Sequence, residues 1–418
     1  MVKLYENNGM KVFHDESVTH GETVYFPMHM NVVATATAFA EKIKADVEEE
    51  HGDEACYHGG QSWEASKFDF DVRDSLIVAD VLDSPFPPCP EALTVIREHL
   101  ERCCQESPPT QCEELIETIA EVRNVPSSHV AVSSGSSSLM FSLLPRLLNE
   151  ESKVLVLSPM YGEYSHILKH VIGCHITYFV LEDRNNFSID ASDLISQACE
   201  HDAVIFVNPN SPTGVYCDSM GDIVKQIACS QNPDSMCKMI WVDETYINYL
   251  PDAVSLEAMC TVVPELVVCK SMSKCYALSG LRVAYAVSQN MSMLKRYIPP
   301  WAVSLPGQLA AVAALRNETY YGEQYEVIHG EREKMQSALE ASGFRVFPGV
   351  ANYLLTYLPE ESSYSSVGFI EACRARGLFV RDAQNMGVSL PGNAVRFAVR
   401  SVEENKTMLS VVDDVLSM

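Results

Sequence analysis

The sequence predicts an α/β protein, with a large domain whose mostly parallel sheet is flanked by helices and a smaller α+β C-terminal domain. Three observations point there. Four short apolar runs, 153–157 (KVLVL), 203–207 (AVIFV), 239–243 (MIWVD) and 266–269 (LVVC), each end at polar or turn-forming residues and are separated by helical stretches. Runs that are apolar throughout, without alternation, suit strands covered on both faces. A long amphipathic stretch then spans about 308 to 342, and strand-like pieces follow at 351–357, 378–381 and 395–399. Finally, 418 residues are enough for two lobes.

In chain order, residues 1–57 read as an N-terminal helical extension. Val32, Val33, Ala36, Phe39, Ala40, Ile43 and Val47 recur there at helical spacing before the acidic run Glu48–Glu50. Such a helix packs on the body or on a partner subunit. Residues 58–95 read as an arm joining the small domain, punctuated by the Pro-rich stretch 84–90 (SPFPPCP). The large domain is expected over 96–305 and the small C-terminal domain over 306–418. No internal repeat or low-complexity segment interrupts them.

Composition excludes several function classes. Thirty Lys+Arg against 56 Asp+Glu give a formal charge of −26, which argues against nucleic acid or an anionic membrane as partner. The 14 cysteines show neither metal-site spacing nor a disulfide framework, so no metal is expected and a reducing compartment is. The first residues lack the apolar core of a secretion signal, and no charge-free stretch is long enough to span a bilayer. The expectation is a soluble cytoplasmic protein.

Chemistry concentrates at the strand ends. Residues 271–282 (SMSKCYALSGLR) place Lys274 behind Ser271 and Ser273 and eight residues ahead of Arg282. A lysine amine forms a Schiff base with an aldehyde, while hydroxyls and a guanidinium cradle a phosphate. An aldehyde that carries a phosphate is pyridoxal 5′-phosphate (PLP). Upstream, 133–138 (SSGSSS) feeds an apolar helix, and free N–H groups at a helix N-terminus receive a phosphate. Residues 208–214 (NPNSPTG) follow one apolar run, and Asp243–Tyr246 (DETY) closes the next. An aspartate there can keep a buried pyridinium nitrogen protonated, and a tyrosine three residues on can donate to a ring oxygen. Each segment alone also reads as a helix cap, a turn or a surface lysine. Their joint order favours one site.

On NPNSPTG, DETY and SMSKCYALSGLR, the chain resembles fold-type I PLP-dependent enzymes of the class I/II aminotransferase family over roughly 58–415. The resemblance implies a Schiff base on Lys274, Asp243 on the pyridine nitrogen and Tyr246 on the ring hydroxyl. It also implies that Ser136, Ser137, Ser271, Ser273 and Arg282 hold the phosphate, Tyr161 stacks on the ring and Arg396 grips the substrate carboxylate. HGGQ at 58–61, PPWAVS at 299–304 and the segment around Asn352 and Tyr353 look like the branch of histidinol-phosphate aminotransferases and threonine-phosphate decarboxylases. His58, Arg381 and Asn352 are further substrate-side positions.

The chain also departs from that pattern. Ser211 stands where the family has an asparagine that donates to the ring hydroxyl. No tyrosine near Glu101–Cys104 matches the one that reaches the partner subunit's cofactor phosphate, and Ser84-Pro85 replaces Asn-Pro. The resemblance implies a homodimer acting on a small amino acid, with transamination as the leading reaction. The alternatives are decarboxylation of a phosphorylated amino acid, elimination with cyclisation, and an inactive PLP fold serving as a binding module.

Overall fold

The computed structural model describes residues 18–20, 23–25, 59–229 and 237–417. The helical pattern at 32–47 and His58 lie outside the described residues. The chain divides into two units, 1–57 and 58–418. In the first, β1 (Val18–His20) pairs antiparallel with β2 (Thr23–Tyr25), Val18 opposite Tyr25.

The second unit holds two sheets. The larger has seven strands in the order β4-β10-β9-β8-β7-β5-β6. These are β4 (Val130–Ser133), β5 (Lys153–Ser158), β6 (His175–Val180), β7 (Ala203–Val207), β8 (Met239–Asp243), β9 (Leu266–Ser271) and β10 (Ala284–Val287). Strands β5 to β9 pair parallel, and β10 runs antiparallel to both neighbours. The four apolar runs of the sequence are β5, β7, β8 and β9, and nearly every residue in them is buried. Each buried Val, Leu or Ile side chain contributes about 1.5–3 kcal/mol to this arrangement. The helix Ser136–Leu147 packs on β4, β9 and β10, and helix Leu305–Leu315 packs on Pro90–Glu98 and Glu113–Arg123.

The smaller sheet has the order β11-β12-β14-β13-β3. Its strands are β3 (Ile77–Ala79), β11 (Arg345–Val346), β12 (Tyr353–Tyr357), β13 (Leu378–Asp382) and β14 (Ala394–Ala398). The edge strand β3 pairs parallel with β13, Val78 opposite Phe379, so a strand from early in the chain completes a sheet built near its end. Helices Glu318–Ala341 and Val402–Leu416 pack together beside it. The last helix starts with a capping box, in which Ser401 and Glu404 satisfy each other's backbone N–H. Among the described residues no helix is long and apolar enough to cross a membrane.

A buried charge cluster supports the end of β8 from behind. Lys270 Nζ lies 3.0 Å from Glu257 Oε2 and 3.6 Å from Glu244 Oε2. Arg123 Nε is 3.7 Å from Glu257, and Tyr285 Oη donates to Glu257 Oε1 at 2.8 Å. Glu244 also accepts from Leu256 N at 2.8 Å and from the Ser255 hydroxyl. Burial pushes the Glu257 carboxyl up, but Lys270 and Arg123 hold it below the usual carboxylate range. A depressed folded pKa adds stability that is complete above the unfolded pKa and lost as pH falls through the folded one. Removing the central cation leaves buried Glu244 without its ion-pair partner and Glu257 with Arg123 alone. Lys270→Met is therefore expected to lower unfolding free energy by about 3–5 kcal/mol at neutral pH. Urea unfolding measures this, and a loss below about 1 kcal/mol would contradict the role given to Lys270.

Candidate active site

The carboxyl ends of β4, β5, β7, β8 and β9 deliver their following turns to one cavity of about 240 Å3. This is where open sheets with parallel strands place ligands. The lining brings together Ser136, Ser137, Tyr161, Ser211, Asp243, Tyr246, Ser271, Ser273, Lys274, Arg282 and Arg396, with Val81, Leu82, Asp83, Val207 and Thr245. Every position expected around the cofactor is in that set, as is the expected carboxylate-binding arginine.

Asp243 ends β8 with its carboxylate buried. Its Oδ1 accepts from Thr245 N at 2.9 Å and Thr245 Oγ1 at 2.6 Å, and its Oδ2 accepts from Tyr164 Oη at 2.8 Å. Trp241 Nε1 donates to Tyr164 Oη at 2.8 Å, which turns that phenol's proton toward Asp243. Burial pushes the Asp243 carboxyl up, and the donors from Thr245 and Tyr164 oppose it. A cationic ring nitrogen would offset that cost of burial. Tyr246 is buried beside it, with its ring edge-on to Tyr353 at 5.2 Å, and burial raises its phenol pKa.

The phosphate cradle starts at Gly135, whose φ of 90° lies in the region glycine favours. A Cβ there would run into the Arg282 guanidinium, so the missing side chain is what lets that cation lie against the loop. No side chain caps the helix Ser136–Leu147, which leaves its first N–H groups for an anion. Arg282 Nη1 donates to Ser273 Oγ and to the Ser279 carbonyl, each at 3.2 Å. Ser137 Oγ donates to Glu163 Oε2 at 2.8 Å, and Tyr161 Oη donates to the same oxygen at 2.9 Å. The hydroxyl proton of Ser137 is thereby committed to Glu163, and its backbone N–H is the donor left for an anion.

Lys274 Nζ pairs with Asp83 Oδ1 at 2.9 Å. Burial pushes the Asp83 carboxyl up, but the Lys274 ammonium and the Ser279 hydroxyl hold it below the usual carboxylate range. Arg396, on β14, is buried. Its Nη1 donates to Ser211 Oγ at 3.3 Å and its Nη2 to the Asp80 carbonyl at 3.0 Å, while Nε has no hydrogen-bond partner. Among the described residues no carboxylate oxygen lies within 4 Å of it, so a guanidinium is buried without a counter-ion. Burial lowers its pKa, Tyr246 opposes this and the charge of Arg381 adds to it. A carboxylate in the cavity would meet both the charge and the unpaired N–H.

Two expected substrate positions stand outside the lining. Asn352 is buried, and its Nδ2 donates at 3.1 Å to the carbonyl of Leu82, a wall residue. Arg381 lies directly opposite Arg396 across the β13–β14 pair, on the same face of the sheet. Sequence reasoning missed Asp83, Tyr164, Thr245 and Glu163. Tyr164 carried one signal, its place three residues after Tyr161 at the start of a helical turn, and Asp83 carried none beyond preceding Ser84.

These residues fit PLP: an amine, a buried carboxylate, a hydroxyl-and-arginine cradle and a second arginine without an anion all face one cavity. The model of the family "aminotransferase class I and II" matches residues 80–412. A histidinol-phosphate aminotransferase of Methanococcus aeolicus is 23% identical over 86% of this chain and 96% of its own. The crystal structure of the histidinol-phosphate aminotransferase from Clostridium acetobutylicum superposes with a TM-score of 0.71 at 23% identity, covering 81% of this chain and 98% of that one. That of the Sinorhizobium meliloti histidinol-phosphate aminotransferase in complex with pyridoxal-5′-phosphate gives 0.68 at 21%, covering 80% and 89%. The fold is that of the fold-type I PLP enzymes, and with four-fifths of its length matched by the family model the chain belongs to the class I and II aminotransferases, which work with pyridoxal 5′-phosphate.

Proposed function

We propose that the protein transfers the amino group of a small L-amino acid to and from PLP held in this cavity. The observation that carries the reading is the convergence of Asp243, the Lys274–Arg282 segment and Arg396 on one cavity from three separate parts of the chain. When bound, PLP supplies an aldehyde for the amine and a ring that takes electron density from a bond at Cα. The chain supplies the rest. Arg282, Ser271, Ser273 and the N–H groups of Ser136 and Ser137 hold the phosphate. Asp243, steadied by Tyr164 and Thr245, holds the proton of the ring nitrogen. Tyr161 covers the ring face and Tyr246 reaches its hydroxyl. Arg396 orients the substrate carboxylate, and the Lys274 amine moves a proton at Cα.

A second reading, decarboxylation of a phosphorylated amino acid, is favoured by Arg381. Two guanidinium-bearing positions side by side on one sheet face suit a substrate with two anionic groups. Incubation with amino acids, followed by absorbance, keto-acid and gas analysis, separates the readings. Conversion of the cofactor to its amine form with keto-acid release supports transamination. Carbon dioxide release with unchanged PLP overturns it for decarboxylation. A homodimer is supported by the family likeness, and a cytoplasmic setting by the free thiols of all described cysteines.

Two substitutions test the assigned roles. Gly135→Ala is expected to weaken PLP binding at least tenfold, because its Cβ displaces Arg282 and its φ is strained for alanine. Equilibrium titration of cofactor fluorescence measures this. Arg396→Lys keeps the charge but loses the two-pronged grip. It is expected to lower kcat/KM about 100-fold, the equivalent of about 3 kcal/mol of charged hydrogen bonding. Unchanged kcat/KM would place the carboxylate elsewhere.

A further inference from the structure

The arm before Pro85 grips Lys274 at both ends. The Ser84 hydroxyl donates to the Lys274 carbonyl, and Asp83 Oδ1 receives the Lys274 amine at 2.9 Å. Ser279 Oγ donates to the same Asp83 oxygen at 2.6 Å. Arg400 Nη1 fixes the Asp83 carbonyl at 3.0 Å, and Arg400 Nη2 is paired with Glu404 Oε1 at 3.1 Å. The contact joins residues 191 positions apart, so it is made by the tertiary fold and not by a local turn. Asp243, the other carboxylate of the lining, is buried and spends its oxygens on Tyr164 and Thr245. Among the described residues, Asp83 is the ion-pair partner of Lys274.

We propose that Asp83 is a catalytic residue that receives the Lys274 nitrogen whenever it is free and steadies the positive charge it gains on taking up a proton. The inference rests on the PLP reading for its place in turnover, since a substrate amine must displace Lys274 before chemistry at Cα. A released neutral lysine can take the proton from Cα, and the ammonium so formed is an acid that returns that proton to carbon and a poor nucleophile until it does; a carboxylate beside it steadies the charged form in between. Ser279 helps by holding the accepting oxygen in place, and the backbone tie to Arg400 stops the arm from drifting away.

The test uses the full-length protein without cofactor. Lys274 is labelled at one fixed neutral pH with formaldehyde and cyanoborohydride, a reaction that needs the neutral amine, and its peptide is followed by mass spectrometry. Asp83→Asn is expected to label Lys274 at least severalfold faster, with exposed Lys153 unchanged as internal standard. Asp83→Glu should return the rate toward wild type. Ser279→Ala, which leaves the carboxylate in place, should give a smaller rise and carries the test if Asp83→Asn does not fold. Loaded with PLP, Asp83→Asn should lose kcat with little change in KM. Lys274 labelled in Asp83→Asn no faster than in wild type, or wild-type kcat in that variant, overturns the proposal. Wild-type protein that stays colourless with PLP overturns the cofactor reading instead, and the labelling result then stands alone.

Discussion

Parallel strands covered on both faces have no solvent-facing side chains to spare, so they can present chemistry only where they stop. In this protein β5, β7, β8 and β9 are buried almost throughout, and polar function begins at the residue that closes each strand or in the turn beyond it. Asp243 closes β8 and Ser271 closes β9, three residues before Lys274. Because these strands are parallel, their carboxyl ends share one rim, and residues distant in sequence meet without long connections. The register decides the rest. Asp243 aligns with Val207 on one side and Cys269 on the other, which sets the depth at which the carboxylate enters the cavity.

Electrostatics makes the rim selective. The protein carries a formal charge of −26, yet the lining of this cavity gathers Lys274, Arg282 and Arg396. Two carboxylates balance them unequally. Asp243 is walled in by donors, and Asp83 is tied to Lys274, so neither reaches Arg396. A buried guanidinium with an unpaired Nε and, among the described residues, no carboxylate within ion-pair distance is costly on its own, and a ligand carboxylate would relieve it with direction as well as charge. Lys274, Arg282 and Arg396 thus give the cavity three cations to set against anionic groups of a ligand.

Much of this was legible in the sequence because the legible part is local. Strand runs ending in DETY, NPNSPTG and SMSK announce where chemistry sits, and spacing along one strand end is a property of the sequence itself. Asp83 and β3 were not legible for the opposite reason. β3 is three residues long, with no periodicity of its own, and its pairing with β13 is fixed only when the C-terminal sheet forms. Asp83 acquires its meaning from that pairing, which carries the arm across to Lys274. Tyr164 was not legible either, because an aromatic next to a helix start usually serves packing. Its role depends on Trp241 turning the phenol proton, a contact across 77 positions. Arg381 and Asn352 show the limit of reading by likeness: each sits one residue away from the lining, on a neighbour that faces it.

The two serines that replace family asparagines can be weighed by counting donors, since a serine hydroxyl has one proton to give where an asparagine amide has two. Ser84 gives its proton to the Lys274 carbonyl. Ser211 accepts from Arg396 at 3.3 Å, and the Tyr353 phenol donates to the Asn210 carbonyl at 2.7 Å. The Ser84 proton is thereby spent on the protein, and the Ser211 oxygen on Arg396. Both serve instead to fix protein groups, one the backbone beneath the reactive lysine and the other the arginine that meets the substrate. The Tyr246 phenol lines the same cavity, and on the reading proposed above it would be a donor to a ring hydroxyl bound there. The position of the family asparagine is thus given over to holding Arg396, so on the reading proposed above this residue serves the substrate's carboxylate rather than the cofactor's ring.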